Sequence, residues 1–267
     1  MRTRAEWLAE GPFALVLSGG FFGFFSHAGL LAALEERGLR PARVVGVSAG
    51  AVAGAALACG LSAEAVAERL GRLRREEFWD PGLPLGGLLR GRRLEETLDS
   101  VLAPTGVRRI EEAPLPLQVV VHDLRARRAR GLDRGPLARA VRASCAVPLL
   151  FRPVRWRRTL LVDGGVSDRS GLGCLDPGER ALYHHLLPTR TLASSLARLP
   201  GAARPRCLVL AIPGQPACGL FRLETGAEAL RRAHRAAAAW LDGALAPGEG
   251  RGERQGAGAR ASGPTCC

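Results

Sequence analysis

Several residue types are scarce in this chain of 267 residues. It has no lysine, one tyrosine and four tryptophans, and aromatic residues make up 5% of the total. Proteins that bind single-stranded nucleic acid stack the bases on aromatic side chains interleaved with basic ones. The aromatics here are too few and too scattered for this, so no nucleic-acid partner is expected, although the formal net charge is +13 and every basic side chain is an arginine.

The cysteines lack any pairing pattern. There are seven, an odd number, and no two of them form a C-x-x-C pair. These observations argue against a zinc site built on the usual cysteine spacing and against a disulfide framework. Thiols without such a pattern fit a reducing compartment, so we expect a cytoplasmic protein.

An uninterrupted membrane-spanning helix is also missing. Two uncharged runs, residues 11–34 and 44–63, are long enough to cross a bilayer. The first is broken by Pro12 and by several glycines, which end helices rather than extend them. Glu6 and Glu10 argue against a signal peptide at the N-terminus. We interpret each run as a buried strand, a turn and a buried helix.

Apolar runs of strand length alternate with stretches of helical spacing along the chain. Such alternation predicts an α/β fold with a mostly parallel central sheet between helical layers, and ligands of such folds bind beyond the carboxyl ends of the strands. We expect strands at residues 13–17, 43–47, 117–123, 159–162 and 207–212, and helices at residues 29–37, 48–59, 63–73, 94–102, 135–144 and 227–245.

The remaining segments complete the predicted organisation. One domain is expected over residues 12–245, after an N-terminal extension at residues 1–11. Residues 246–267 are rich in glycine and arginine, which predicts a disordered tail. Residues 78–93 contain glycines and prolines that predict a mobile loop covering a site, and residues 147–153 predict a turn.

The first chemical motif is G-x-S-x-G, formed by Gly46, Ser48 and Gly50. An apolar strand precedes it and an apolar helix follows, as in a nucleophile elbow, where a serine stands on a sharp strand-to-helix turn. The glycines allow that turn, and the N–H groups at the start of the helix would face the reacting oxygen. Ser48 is therefore the candidate nucleophile. A plain turn with a capping serine is the alternative.

A glycine-rich turn follows the first strand, at residues 18–23 (S-G-G-F-F-G). Backbone N–H groups in such a turn can stabilise an oxyanion or a phosphate. A nucleotide-binding loop is therefore an alternative, and it would make the protein Rossmann-like. The dinucleotide pattern G-x-G-x-x-G is not met, however, because Ser18 occupies its first position.

The third motif is Asp163-Gly164-Gly165, at the end of a predicted strand. A carboxylate there could reach the elbow of a neighbouring strand and act as general base toward Ser48, and burial would raise its pKa toward that task. A simple turn is the alternative. Among the histidines, His122 is the best candidate for a conventional relay, while His184 and His185 are expected to be exposed or helical.

Together these motifs resemble those of the patatin-like phospholipases, over residues 12–167. In that family a glycine-rich oxyanion loop comes first, then G-x-S-x-G, then D-G-[GA]. Residues 143–153 also resemble the segment before the family's aspartate. The resemblance implies a three-layer α/β/α sandwich and hydrolysis of lipid acyl esters by a Ser48–Asp163 dyad. It implies no metal and no organic cofactor.

The glycine loop departs from the family pattern. The family loop often reads G-G-G-x-[RK]-G, whereas here Phe21 replaces the third glycine and the loop has no basic residue. We expect Gly19, Gly20 and Phe21 to supply backbone donors to the oxyanion, and Gly23 to serve the conformation of the loop. A member of the family that has lost activity and serves as an interaction domain is a further alternative.

The expected substrate is a lipid or phospholipid, and the arginines suggest where a membrane could be contacted. Residues 125–169 contain twelve arginines and three aspartates. Anionic lipid surfaces attract such segments, which predicts peripheral contact with an anionic membrane. A solvated charged face is the alternative.

Overall fold

A computed structural model describes residues 1–83, 86–187 and 199–250 of the chain. The helices in these residues are α1 (Arg4–Ala9), α2 (Phe24–Glu36), α3 (Ala49–Ala58), α4 (Ala63–Gly71), α5 (Arg92–Leu102), α6 (Leu137–Ser144) and α7 (Gly226–Asp242). The strands are β1 (Ala14–Leu17), β2 (Arg43–Val47), β3 (Gly87–Leu89), β4 (Leu117–Asp123), β5 (Arg128–Leu132), β6 (Leu149–Phe151), β7 (Val154–Trp156), β8 (Thr159–Asp163), β9 (Ala181–His185) and β10 (Cys207–Ala211).

The strands form one large sheet and one small sheet. The large sheet has the order β10-β9-β1-β2-β4-β8-β7, and β5 also pairs with β4. The five strands from β10 to β4 are parallel to one another. β5 and β8 are antiparallel to β4, and β7 is antiparallel to β8. The predicted α/β fold with a mostly parallel central sheet is thus confirmed.

The end of β8 lies opposite the end of β2. β2 pairs with β4 up to the register Val47–Val120, and β8 reaches β4 at the register Asp163–Val121. A strand has only two edges, and β5 occupies one edge of β4 over these residues. β2 and β8 therefore share the other edge and run toward each other. This arrangement brings the elbow after β2 close to Asp163.

Both faces of the central strands are covered. On one face, Leu15 and Leu17 of β1 pack into a core with side chains from α1, α2, α3, α5, α6 and α7. On the other face, Val16 and Val45 pack with Leu175 and Tyr183. Successive strand residues point to opposite faces, so a strand covered on both sides is a continuous apolar run in sequence. The apolar runs of β1 and β2 have this origin.

Most of the predicted elements are confirmed, with shifts at their ends. β2 and β4 have the predicted bounds. Ser62 caps α4 by accepting a hydrogen bond from the Ala65 N–H at 3.2 Å. α2 begins at Phe24, five residues before the predicted start at Gly29, because the glycine-rich turn closes within residues 20–23.

Three short-range predictions are wrong. Residues 147–153 contain β6 rather than only a turn, and residues 78–93 contain β3, which pairs with it; residues 84 and 85 lie outside the described part. Strands of three residues are too short to show a hydrophobic period. His184 and His185 lie in β9, and His184 is fully buried rather than exposed or helical.

The two long uncharged runs form β1 with α2 and β2 with α3, as predicted. None of the helices in the described residues combines the length and the hydropathy that crossing a bilayer requires. The first residues of the chain form α1, which buries Trp7 and Leu8 in the main core. The predicted tail falls outside the described residues from position 251 onward.

Candidate active site

Ser48 lies on a sharp turn between β2 and α3. Its backbone has φ 51° and ψ −115°, a left-handed conformation that is costly for a residue with a side chain. The turn is tight enough to exclude side chains around it. A Cβ on Gly50 would lie 2.1 Å from the Leu17 carbonyl oxygen, and a Cβ on Gly46 would lie 2.5 Å from the Gly50 carbonyl oxygen. Gly46 and Gly50 therefore allow neighbouring backbone segments to approach closely at this turn.

Asp163 is buried beside Ser48, with 7% of its surface exposed. Burial raises the pKa of its carboxyl above the ordinary 3.8, while hydrogen bonds from the Ser48 hydroxyl and the Gly165 N–H act in the opposite direction. The Gly165 N–H donates to Asp163 Oδ1 at 2.8 Å. Gly164 follows β8 at a point where a Cβ would lie 2.5 Å from the Val120 carbonyl oxygen. The structure thus brings the predicted serine and aspartate together.

Ser144 anchors the elbow to β4, although it belongs to none of the three sequence motifs. The Ser48 N–H donates to Ser144 Oγ at 2.7 Å, and the Ser144 hydroxyl donates to the Val120 carbonyl at 2.6 Å. Ser144 is fully buried. It belongs to the segment at residues 143–153 that resembles the family pattern, and this was the only signal that could have indicated it.

Cys145 is the second group at the site that sequence reasoning missed. Burial, and then the negative charge of Asp163, raises the pKa of its thiol, and a hydrogen bond with the Ser48 side chain acts in the opposite direction. A thiol is a nucleophile as its thiolate. Cys145 is therefore held as a neutral thiol beside Ser48.

Arg169 forms two hydrogen bonds with the backbone of the glycine loop. The Gly19 N–H donates to the Arg169 carbonyl at 2.8 Å, and Arg169 Nε donates to the Gly19 carbonyl at 2.9 Å. The Gly19 N–H is thus already engaged, which argues against its expected role as an oxyanion donor. The N–H groups of Gly20 and Phe21 have no hydrogen-bond partner among the described residues.

Two loop glycines make room for a leucine. A Cβ on Gly20 would lie 2.6 Å from Leu186 Cδ1, and a Cβ on Gly23 would lie 2.1 Å from the same atom. The Gly23 N–H also donates to the Gly20 carbonyl at 3.0 Å and closes the turn. Packing against Leu186 therefore explains these glycines without a bound nucleotide, which removes the main support for the nucleotide-binding alternative.

An apolar cleft, partly open to solvent, leads away from Ser48. Its walls come from the glycine loop and from helices α3, α4 and α5, and most of its lining side chains are aliphatic or aromatic. Phe21, Phe22 and Phe24 line it, whereas Phe25 is buried in the core. Of the four phenylalanines that follow β1, three thus line the cleft and one belongs to the core.

The hydrogen bonds of the histidines are with groups other than Ser48 and Asp163. His122 Nδ1 shares a hydrogen bond with Ser167 Oγ, at 2.7 Å. His27 and His184 bond each other between their Nδ1 atoms at 2.9 Å, and both are fully buried. His185 contacts the Tyr183 hydroxyl at 2.6 Å. Within the described residues, the structure does not bring a histidine together with Ser48 and Asp163.

Comparison with known proteins gives a family match. The sequence model of the family described as Patatin-like phospholipase matches residues 15–173. This range contains the glycine loop, the elbow and the aspartate motif.

The curated relatives are longer proteins. An uncharacterized NTE family protein of Mycobacterium tuberculosis is 34% identical over 157 residues, which cover 58% of this chain and 43% of that protein. The uncharacterized protein YqhO of Bacillus subtilis is 31% identical, over 57% of this chain and 62% of its own length. Neuropathy target esterase sws of Drosophila sechellia is 27% identical, over 60% of this chain and 11% of its own length. The chain thus spans less than two thirds of each of these relatives.

Two solved structures share the fold. VipD from Legionella pneumophila has a TM-score of 0.53 at 16% identity, with 86% of this chain and 67% of that chain covered. The type III effector protein ExoU of Pseudomonas aeruginosa has a TM-score of 0.52 at 17% identity, with 86% and 52% covered.

Proposed function

The chain belongs to the patatin-like phospholipase family, and from that premise we propose that it hydrolyses fatty-acyl esters of lipids, with Ser48 as nucleophile and Asp163 as base. The observation that carries this proposal is the contact between the Ser48 hydroxyl and the buried Asp163 carboxyl at an apolar cleft. The relative named as an esterase agrees with an ester substrate.

The proposed reaction has two steps. Asp163 accepts the proton of the Ser48 hydroxyl while Ser48 Oγ attacks the ester carbonyl carbon, and the alcohol leaves after taking up that proton. Asp163 then takes a proton from a water, which attacks the carbonyl carbon of the acyl-enzyme. The bond to Ser48 Oγ breaks, Asp163 returns the proton to that oxygen, and the fatty acid leaves. A base acts best with a pKa closer to the working pH, and burial moves the pKa of Asp163 in that direction.

Backbone N–H groups are available for the oxyanion. The N–H groups of Gly20 and Phe21 lack partners among the described residues, and so do those of Ala49 and Gly50 at the start of α3. The Ala51 N–H already donates to the Ser48 carbonyl at 2.8 Å. Both sets lie beside Ser48 at the cleft. We assign the oxyanion to Gly20, Phe21 and the start of α3. These donors act where negative charge develops on the carbonyl oxygen.

The acyl chain is assigned to the apolar cleft. Val52, Leu98 and Phe151 line it together with Ser48, and they belong to different elements of the fold. Apolar burial is favourable at roughly 25 cal/mol per Å², so a chain of several methylenes gains binding energy there. A short acetyl ester would forgo most of this energy.

Hydrolysis of a nitrophenyl ester with a medium-length acyl chain tests the proposal. Ser48→Ala is expected to reduce the rate to background, and Asp163→Asn to reduce kcat by about 10²–10⁴-fold. His122→Gln is the matched control for a conventional relay and is expected to retain wild-type activity. Activity that persists in Ser48→Ala, or that is lost in His122→Gln, would contradict the dyad.

A rim of exposed apolar side chains near the cleft supports contact with a membrane. Leu149 and Phe221 have 83% and 71% of their surfaces exposed. Phe21 packs against the segment at residue 219, and Trp79 contacts Phe221 with ring centroids 6.3 Å apart. Six exposed apolar side chains make up this surface, which we call the cleft rim: Phe21, Trp79, Leu83, Leu88, Leu149 and Phe221.

Arginines accompany the cleft rim. The Arg75 guanidinium lies 5.4 Å from the ring centroids of both Trp79 and Phe221. Arg152, within the arginine-rich segment at residues 125–169, donates to the Leu83 carbonyl. Exposed apolar patches mark interaction sites, and anionic headgroups attract nearby arginines. We propose that the cleft rim contacts an anionic membrane surface, from which an acyl chain enters the cleft.

A further inference from the structure

A second cavity lies on the other side of the glycine loop. It is partly open to solvent and shares Gly20, Phe21 and Phe22 with the apolar cleft. Its lining differs, because Ser26, Arg169 and Gln215 contribute polar side chains. The loop beside Ser48 thus separates an apolar space from a polar one.

Several polar atoms in the wall of this cavity lack partners. Ser26 Oγ, His184 Nε2 and both amide atoms of Gln215 are buried without a hydrogen bond to any described residue. Buried polar atoms in proteins are almost always satisfied by protein, ordered water or ligand, because leaving them unpaired costs free energy. Three such side chains around one cavity therefore point to an occupant that forms hydrogen bonds.

The buried histidine pair determines what this occupant must offer. His27 Nε2 lies 2.9 Å from the Ser18 carbonyl, which can only accept, so this nitrogen carries the proton. Burial lowers the pKa of His27 to about 4, so its Nδ1 is an unprotonated acceptor. His184 Nδ1, 2.9 Å away, must then be the donor. Burial also keeps His184 neutral, which leaves its Nε2 as a lone pair that needs a donor such as a hydroxyl.

Arg169 adds a positive charge to the same wall. Its Nε and Nη2 donate to the Gly19 and Leu186 carbonyls, both at 2.9 Å. Both acceptors are neutral, and no carboxylate of the described residues forms an ion pair with Arg169 within 4 Å; its charge reaches Asp163 and acts to lower the pKa of that carboxyl. His185 lies in the same wall, and burial, and then the charge of Arg169, lowers its pKa, so it does not add to the charge. An anionic occupant is therefore favoured over a neutral one.

We propose that this polar cavity binds the alcohol half of the substrate, a hydroxyl-bearing phosphate ester of the glycerophosphate type. An ester has an acyl half and an alcohol half on opposite sides of its carbonyl. The two spaces meet at Gly20, Phe21 and Phe22, so with the acyl chain in the apolar cleft the alcohol half extends past this loop toward the polar cavity. Its hydroxyl meets His184 Nε2 and Gln215, and its phosphate meets Arg169. The inference deepens the proposed function and rests on it.

Binding of glycerol 3-phosphate tests the site without any turnover. We expect calorimetry to detect binding to the wild-type protein, weakened about threefold or more by Ser26→Ala and about tenfold by Gln215→Leu. Ser100→Ala, an exposed serine outside this cavity, is the matched control and should bind like wild type. Glycerol should bind more weakly than glycerol 3-phosphate, since it lacks the charge that faces Arg169. Equal binding of the two, or of wild type and Gln215→Leu, would overturn the proposal.

Kinetics separate this inference from the proposed function. With one acyl chain, we expect the wild type to show a higher kcat/KM for the acyl-glycerol 3-phosphate than for the methyl ester, and Gln215→Leu to reduce that ratio about tenfold. Near-ultraviolet circular dichroism confirms folding of each variant. Hydrolysis of the methyl ester with no preference between the two esters would overturn the polar site alone. No hydrolysis of either ester, with glycerol 3-phosphate binding intact, would contradict only the proposed function.

Discussion

Ser48 and the glycine loop are held by neighbours that take no part in the proposed chemistry. Ser144 links the Ser48 N–H to the Val120 carbonyl through hydrogen bonds of 2.7 and 2.6 Å. Arg169 joins the Gly19 backbone from both its carbonyl and its guanidinium. Neither contact could be deduced from spacing, because Ser144 and Ser48 lie 96 positions apart and Arg169 and Gly19 lie 150 positions apart. The motif residues themselves were identifiable because local backbone geometry dictates them.

Removal of the Ser144 hydroxyl is expected to loosen the elbow. Ser144→Ala leaves the Ser48 N–H and the Val120 carbonyl unpaired in a buried place, at a cost of about 1–3 kcal/mol. We expect a lower melting temperature and a kcat reduced about tenfold or more, since small displacements of a nucleophile are costly. Ser100→Ala, an exposed serine, is the control and should change neither. Unchanged kcat in Ser144→Ala would contradict the positioning role.

Asp163 is expected to weaken the fold at neutral pH. Burial raises the pKa of its carboxyl above 3.8, so the folded state binds this proton more tightly than the unfolded state. The resulting stabilisation is present at low pH and is lost as the pH rises through the raised pKa. Asn stays neutral and can still accept from the Gly165 N–H. We expect Asp163→Asn to raise the melting temperature at pH 7 by about 2–4 °C.

The pH dependence of that difference provides the check. The difference in melting temperature between Asp163→Asn and wild type should become smaller as the pH falls below the raised pKa of Asp163. A lower melting temperature for the variant at pH 7, or a difference that grows in acid, would show that the buried carboxylate does not weaken the fold.

At the scale of elements, the site depends on two strands that run toward each other. β2 ends at the register Val47–Val120, and β8 ends at Asp163 beside Val121. The sequence predicted both strand ends, but it could not give the direction of β8, because direction depends on pairing with a distant strand. β9 was missed as well. Its five residues include two histidines, which obscure an otherwise apolar strand.

Helix α3 can follow so tight a turn only because Gly50 has no side chain. Its Cβ would lie 2.1 Å from the Leu17 carbonyl oxygen, at the end of the neighbouring β1. We expect Gly50→Ala to destabilise the protein by about 1–3 kcal/mol in urea unfolding. Gly71→Ala, within α4 and with nothing within 4 Å of the added Cβ, should stabilise by up to about 1 kcal/mol. Equal effects of the two changes would contradict the close packing of β1 and α3.

At the scale of the whole molecule, the formal net charge of +13 and the cleft rim suggest a lipid surface. We expect the protein to co-sediment with vesicles containing anionic lipid, less so in high salt. Phe221→Ser and Leu88→Ser should each weaken binding about tenfold, because burial of one such side chain contributes about 1.5–3 kcal/mol. Leu160→Ser, an exposed leucine on β8 outside the cleft rim, is the control.

Two outcomes would oppose the membrane contact. One is vesicle binding that Leu160→Ser reduces as much as Phe221→Ser. The other is a wild-type protein that does not bind anionic vesicles, together with an oligomer that Phe221→Ser dissociates in light scattering. The cleft rim would then join two copies of the chain.

The Ser48–Asp163 dyad is tested most directly by covalent labelling with a fluorophosphonate, followed by intact mass measurement and peptide mapping. We expect one adduct per chain, located on Ser48, absent from Ser48→Ala and formed about 10²–10⁴-fold more slowly in Asp163→Asn. An adduct that persists in Ser48→Ala, or labelling as fast in Asp163→Asn as in wild type, would contradict the dyad.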